Sequence, residues 1–143
     1  MAERVLQSAL MDAGLQDQVV VDSAGTRGYH LGEGAHKHTD KVLAENGYRG
    51  GHHKAREFTR PLFSDADLVI LMDRGHRADL NQVGFTDPSK IVMWRSFDPS
   101  ASARGELDVP DPWGLPHEAY EEVLAMLEAG IPGLIGHIRT LIS

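Results

Sequence analysis

The side chains that carry covalent chemistry are unevenly supplied in this chain. Its 143 residues include no cysteine, which excludes disulfides, thiolate metal sites and any cysteine nucleophile within them. Histidine is plentiful, with eight residues. His36-Lys-His38 and His52-His53 offer neutral imidazoles of the kind that bind transition metals. Neither group has a third acidic partner at ligand spacing, so they read as surface histidines, and no metal or cofactor is expected. A further carboxylate, Asp111, lies in Val109-Pro-Asp-Pro-Trp113. By residue type alone, Asp111-Pro112 reads as a turn that shapes the loop before the last helix. The acidic stretch Glu118, Glu121, Glu122 and Glu128 reads as the solvated face of that helix, with Val123, Leu124 and Leu127 inward. A formal net charge of −7 disfavours nucleic acid and anionic membrane surfaces as partners. No apolar run approaches bilayer-spanning length and the N-terminus shows no secretory pattern, so the expected location is the cytoplasm.

The elements that must position these groups follow from periodicity. One domain over 1–143 is expected from the length. Val5, Leu6, Ala9, Leu10 and Ala13 have helical spacing over 2–13, with Gly14 as a stop. Val19, Val20 and Val21 predict a buried strand over 18–22, and Ser23-Ala-Gly-Thr-Arg-Gly28 breaks it. A short helix is expected over 38–46, closed by Gly47, and a single helical turn over 59–63 capped by Thr59. Asp67-Leu-Val-Ile-Leu-Met72 is the clearest strand, followed by Asp73 as the cap of a helix running towards Val83. A third strand spans 90–94. Residues 96–111 read as loop, and a final helix covers 116–142, broken in two near Gly130-Ile-Pro132. Apolar strands alternating with helices predict an α/β fold of three layers, helix–sheet–helix, around a small parallel sheet. Such folds begin with a strand, because the first helix is the crossover from strand one to strand two. Here the chain starts on the helix, so a first strand is expected to be missing.

Six segments in order and spacing resemble the low-molecular-weight protein tyrosine phosphatases. They are Met1-Ala-Glu3 opening a helix, Asp22-Ser-Ala-Gly-Thr26, His53-Lys-Ala-Arg56, Leu71-Met-Asp73, Ser96-Phe-Asp-Pro99 and Val109-Pro-Asp-Pro-Trp113. The resemblance covers essentially the whole chain. It implies that a strand and a Cys-x5-Arg-Ser-Pro phosphate loop would stand just before Met1. In that chemistry backbone N–H groups at a helix N-terminus cradle the phosphate and depress the cysteine pKa, and the thiolate attacks phosphorus. The arginine grips the phosphoryl oxygens. An aspartic acid protonates the leaving phenolate and then serves as base towards water.

Of this machinery the resemblance leaves Asp111 as general acid and base. Tyr29 and Trp113 match the two aromatic positions that flank the substrate ring, with tryptophan where a tyrosine is common. Ser23 and His53 match residues that support the phosphate loop. His36-Lys-His38 departs from the family pattern, where an Asp-Pro-Arg-like stretch is usual. The expected substrate of the family is a phosphotyrosine protein or an aryl phosphate, and this chain is expected to be inactive as it stands. The alternatives are a natural pseudophosphatase acting as a binding protein and, ranked last, an arsenate reductase relative, which needs further cysteines to relay a disulfide. The family's first strand is central in its sheet, so its absence is expected to expose sheet edges and drive self-association.

Overall fold

The computed structural model describes residues 1–22, 37–48, 66–82, 89–112 and 115–142. Helix α1 (Ala2–Asp12) buries Val5, Leu6 and Leu10 along one stripe. It ends where Gly14 takes a positive φ of 72°, a conformation that glycine reaches without strain. Helix α2 (Lys37–Glu45) follows, then strand β1 (Val69–Leu71), helix α3 (Arg74–Gln82) and strand β2 (Ile91–Met93). The expected cap of α3 is present: the Asp73 Oδ1 accepts from the His76 N–H at 3.0 Å.

The two strands pair in parallel, Val69 opposite Ile91 and Leu71 opposite Met93. Alternate residues of β1 face different cores. Val69 and Leu71 join Leu80 of α3, Ile91 and Met93 in one cluster. Leu68, Ile70 and Met72 pack on the larger cluster formed by α1, α2 and the last helix. Helices therefore cover both faces of the sheet, as its unbroken apolar strands require. The fold is α/β, as expected, with a small parallel sheet.

Three expectations are corrected. The strand over 18–22 does not form: 19–22 is irregular, Val19 and Val21 lean on the large core, and Val20 is 93% exposed. The alternation of a strand is there, but among the described residues the sheet has only two strands, and a strand without a ladder partner has nothing to hold it extended. The stretch 96–111 is not all loop. A 3₁₀ helix (Trp94–Phe97) leads into α4 (Pro99–Arg104), which Asp98 caps by accepting from the Ser100 N–H and which Gly105 ends. The last helix is not broken: α5 (His117–Ile142) runs through Pro132.

Packing explains that continuity. A Cβ on Gly130 would come within 2.9 Å of the Trp94 Nε1, and one on Gly133 within 2.6 Å of the Phe97 carbonyl oxygen. The two glycines form a notch into which the 3₁₀ helix settles. The buried Trp94 indole donates to the Leu127 carbonyl at 2.9 Å, so the weakened turn around Pro132 is braced from outside. Polar ties complete the frame. Arg4 of α1 meets Asp40 of α2 at 2.8 Å, His117 of α5 meets Glu45 of α2 at 2.9 Å, and the Tyr48 hydroxyl donates to Glu128 at 2.8 Å. The turn over 59–63 lies outside the described residues.

Candidate active site

The segment that carries Asp111 is fastened to the carboxyl end of the parallel sheet, the edge at which open α/β sheets bind ligands. The Val109 N–H donates to the Met72 carbonyl at 2.6 Å, one residue beyond the end of β1, and the Val109 side chain is buried. The preceding residue is held twice. Arg74, at the start of α3, reaches the Asp108 carboxylate from its backbone N–H at 2.9 Å and from its guanidinium at 3.0 Å. Arg95, in the 3₁₀ helix after β2, donates from Nη1 to the Asp108 carbonyl at 3.0 Å. Both loops that leave the sheet at this end thus converge on one aspartate.

Charge follows geometry here. The hydrogen bond from Arg74 holds the Asp108 carboxyl below the usual aspartate range, and the Asp108 bond in turn raises Arg74. Asp108 is therefore an anion locked to its partner and not a proton donor. Asp111, three residues on, is exposed. Tyr120, on the first turn of α5, is 2% exposed. Burial first, and then the charge of Asp111, push the Tyr120 phenol above its ordinary value. Asp111 is thus an exposed carboxyl group on a segment anchored on one side at the sheet edge, with the buried Tyr120 phenol within range of its charge.

Of the catalytic, substrate-pocket and loop-supporting residues that the resemblance implies, Asp111 is the one that falls among the described residues. Tyr29, Trp113, Ser23 and His53 lie outside the described residues, as do His36 and His52. Among the described residues no group of three or more His, Cys, Asp or Glu side chains is placed to hold a metal. Asp108, Arg74, Arg95 and Tyr120 are the residues that sequence reasoning passed over. Arg95, two residues beyond the end of β2, reads from the sequence as a solvated charge at the start of a turn. Arg74 and Asp108 are partners across 34 residues of chain, which spacing does not reveal, and Tyr120 reads from the sequence as an ordinary core aromatic of the last helix.

Among the described residues no helix is long and apolar enough to cross a membrane. Residues 1–141 match the family described as low molecular weight phosphotyrosine protein phosphatase. The chain is similar to a low molecular weight protein-tyrosine-phosphatase of Streptomyces coelicolor, 46% identical over 141 residues, which are 97% of this chain and 85% of that one. It is 40% identical over 134 residues to low molecular weight protein-tyrosine phosphatase A of Mycobacterium tuberculosis, covering 94% and 80%. Among solved structures, YfkJ from Bacillus subtilis matches with a TM-score of 0.88 at 26% identity, over 99% of this chain and 87% of that one. A protein tyrosine phosphatase from Entamoeba histolytica matches with 0.86 at 25%, over 97% and 87%. Sequence pattern, fold and relatives agree over nearly every residue, and the chain belongs to the low molecular weight phosphotyrosine protein phosphatase family.

Proposed function

We propose that this chain carries the acid–base half of a phosphatase site for phosphotyrosine proteins or aryl phosphates, and that its 143 residues do not turn substrate over by themselves. Asp111 is the general acid in this reading. As a thiolate forms its bond to phosphorus and the aryl C–O–P bond breaks at P–O, Asp111 delivers the proton to the departing phenolate. Its carboxylate then takes a proton from the water that breaks the P–S bond. The reading is carried by one observation: Asp111 is exposed on a segment tied to the carboxyl end of β1 through Val109. Tyr29 and Trp113 flank the substrate ring in this scheme, and Ser23 and His53 support the phosphate loop. The reaction belongs in the cytoplasm, where reducing conditions preserve a thiolate.

The nucleophile is the element that these residues lack, since the chain has no cysteine. General acid catalysis alone contributes about 10²–10⁴-fold, too little to give measurable turnover of a phosphate monoester, and least for one whose leaving group departs without protonation. The purified chain is expected to hydrolyse p-nitrophenyl phosphate no faster than buffer. Prepending a family-type strand with Cys-x5-Arg-Ser-Pro is expected to restore activity. Turnover by the unextended chain that vanishes in Asp111→Ala, or an extended protein that folds and binds phosphate yet stays inert, would refute the reading.

The lack of cysteine equally favours a second reading, in which the protein binds a partner or an anion without turnover. It differs from the first in its outcome with the extended protein, which then gains phosphate binding and no catalysis. Self-association belongs to both readings. It is supported by the outer edge of β1, which has no strand beside it among the described residues, and by the exposed Val20.

A further inference from the structure

Arg95 is 8% exposed, and among the described residues its Nε–H finds no acceptor. The one bond its guanidinium makes there is to the Asp108 main-chain carbonyl, at 3.0 Å. The Asp108 carboxylate makes its ion-pair contact with Arg74 instead, and Arg95 acts on it through charge alone, without a hydrogen bond. A buried cation with a single neutral acceptor is unfavourable by comparison with an apolar side chain of the same volume. Core packing alone does not account for an arginine here.

Its base is rigid. Trp94 on one side is locked into the core through the Leu127 carbonyl, and the Ser96 hydroxyl on the other donates to the Met93 carbonyl at 2.6 Å. What it holds is stiff as well. Val109-Pro-Asp-Pro112 has two prolines with φ fixed near −65°, and each restricts the residue before it to extended backbone. Asp111 therefore projects at the end of a short arm, about 10 Å from Asp108 at full extension, and the direction of that arm is set where it is rooted.

We propose that Arg95 is the positioning residue of the Asp111 arm: from inside the fold it fixes the Asp108 carbonyl, and through the stiff Val109–Pro112 segment it fixes where the Asp111 carboxyl points. Arg74 grips the same residue from outside, on a side chain 73% exposed, where solvent and salt screen the grip. Arg95 is the unscreened half of the clamp. Its use in catalysis rests on the reading of Asp111 given above; the clamp itself does not.

The test is amide hydrogen exchange by NMR on the whole chain, comparing the parent with Arg95→Lys and Arg95→Met. Two amides are read together: Val109, which donates to Met72, and Val69, which donates to the Lys90 carbonyl at 2.7 Å within the sheet. The expected result is selective release, with Val109 exchanging about tenfold faster in Arg95→Met while Val69 holds its rate. Arg95→Lys, which keeps a long donor, is expected to fall between the two, and the Asp111 amide signal is expected to move in the same order. A ratio of the two rates that is the same in every folded variant overturns the proposal, because the arginine then serves the sheet as a whole or nothing at all. If Arg95→Met does not fold, Arg95→Lys against the parent decides by the same ratio. Failure of Asp111 as the acid is read separately, from the rate of Asp111→Asn in the extended protein, and leaves the exchange result standing.

Discussion

Asp111 is flanked by prolines on both sides, so a substitution there changes the chemistry of the tip with little freedom for the backbone to compensate. That makes Asp111→Asn a clean probe in a protein extended with a cysteine loop. The amide cannot deliver a proton, and the loss should scale with how badly the leaving group needs one. For phenyl phosphate, whose phenolate is strongly basic, kcat/KM, which reports only the steps up to loss of the phenolate, is expected to fall by about 10²–10⁴-fold. For p-nitrophenyl phosphate, whose anion departs without protonation, the fall should be distinctly smaller. Equal losses for both substrates would show that Asp111 holds structure and not a proton. A second residue-scale test uses Tyr48. Burial first, and then its bond to Glu128, push its phenol from 10.0 up to about 12. The folded state keeps a proton that the unfolded chain releases above pH 10.0, so this contribution to stability is whole below pH 10.0 and is lost as pH rises through about 12. Phenolate absorbance of the parent minus that of Tyr48→Phe gives the titration directly, and Glu128→Gln is expected to lower its midpoint. A midpoint at the ordinary tyrosine value refutes the assignment. Neither residue announces itself in the sequence. Asp-Pro alone is a turn dipeptide, and Asp111 stood out only through six segments in register. Tyr48 and Glu128 meet across 80 residues, beyond any local pattern.

Helices were legible to the extent that local chemistry decides them. The stripe of α1, its glycine stop and the Asp73 cap of α3 all depend on residues within one turn of each other. The signals for α4 were equally local, with Asp98 before Pro99 and Gly105 after Arg104, and were lost inside a stretch that looked like loop by composition. Strands are different, because a strand exists only with a neighbour. Three valines in a row were not enough for 19–22 without a ladder. The continuity of α5 likewise depends on a distant element, the 3₁₀ helix seated against Gly130 and Gly133. Gly133→Ala weighs the two effects against each other. Helix propensity gains about 1 kcal/mol, while the added methyl meets the Phe97 carbonyl and overpacking of this kind costs about 1–3 kcal/mol. The expected result is net destabilisation, read as a lower denaturant midpoint with an unchanged slope. Gly136, where a Cβ meets nothing within 4 Å, is the control: Gly136→Ala is expected to stabilise by about 0.5–1 kcal/mol. If both variants move the midpoint the same way, the notch is not a tight contact.

At the scale of the molecule, the order and layering of the chain were readable, since a parallel sheet clothed on both faces follows from alternating apolar strands and helices. What was not readable is how the sheet is completed. Hydrogen-bonding groups along β1 that remain unpaired in a buried setting cost about 1–3 kcal/mol each, against a whole-domain stability of about 5–15 kcal/mol. The chain is therefore expected to associate with itself, and light scattering at low micromolar concentration is expected to report a mass above that of one chain. A monodisperse monomer with a single cooperative melt would refute this. The glycine notch bears on motion as well as on stability. Sliding α5 by four residues would set Leu134 where Gly130 now lies and His137 where Gly133 lies, and neither fits against the backbone of the 3₁₀ helix. The helix is indexed like a gear with one missing tooth, so the one-turn ratchets by which some proteins transmit signals are closed to it. A register shift of α5 is therefore not expected to be part of any response of this molecule to a ligand.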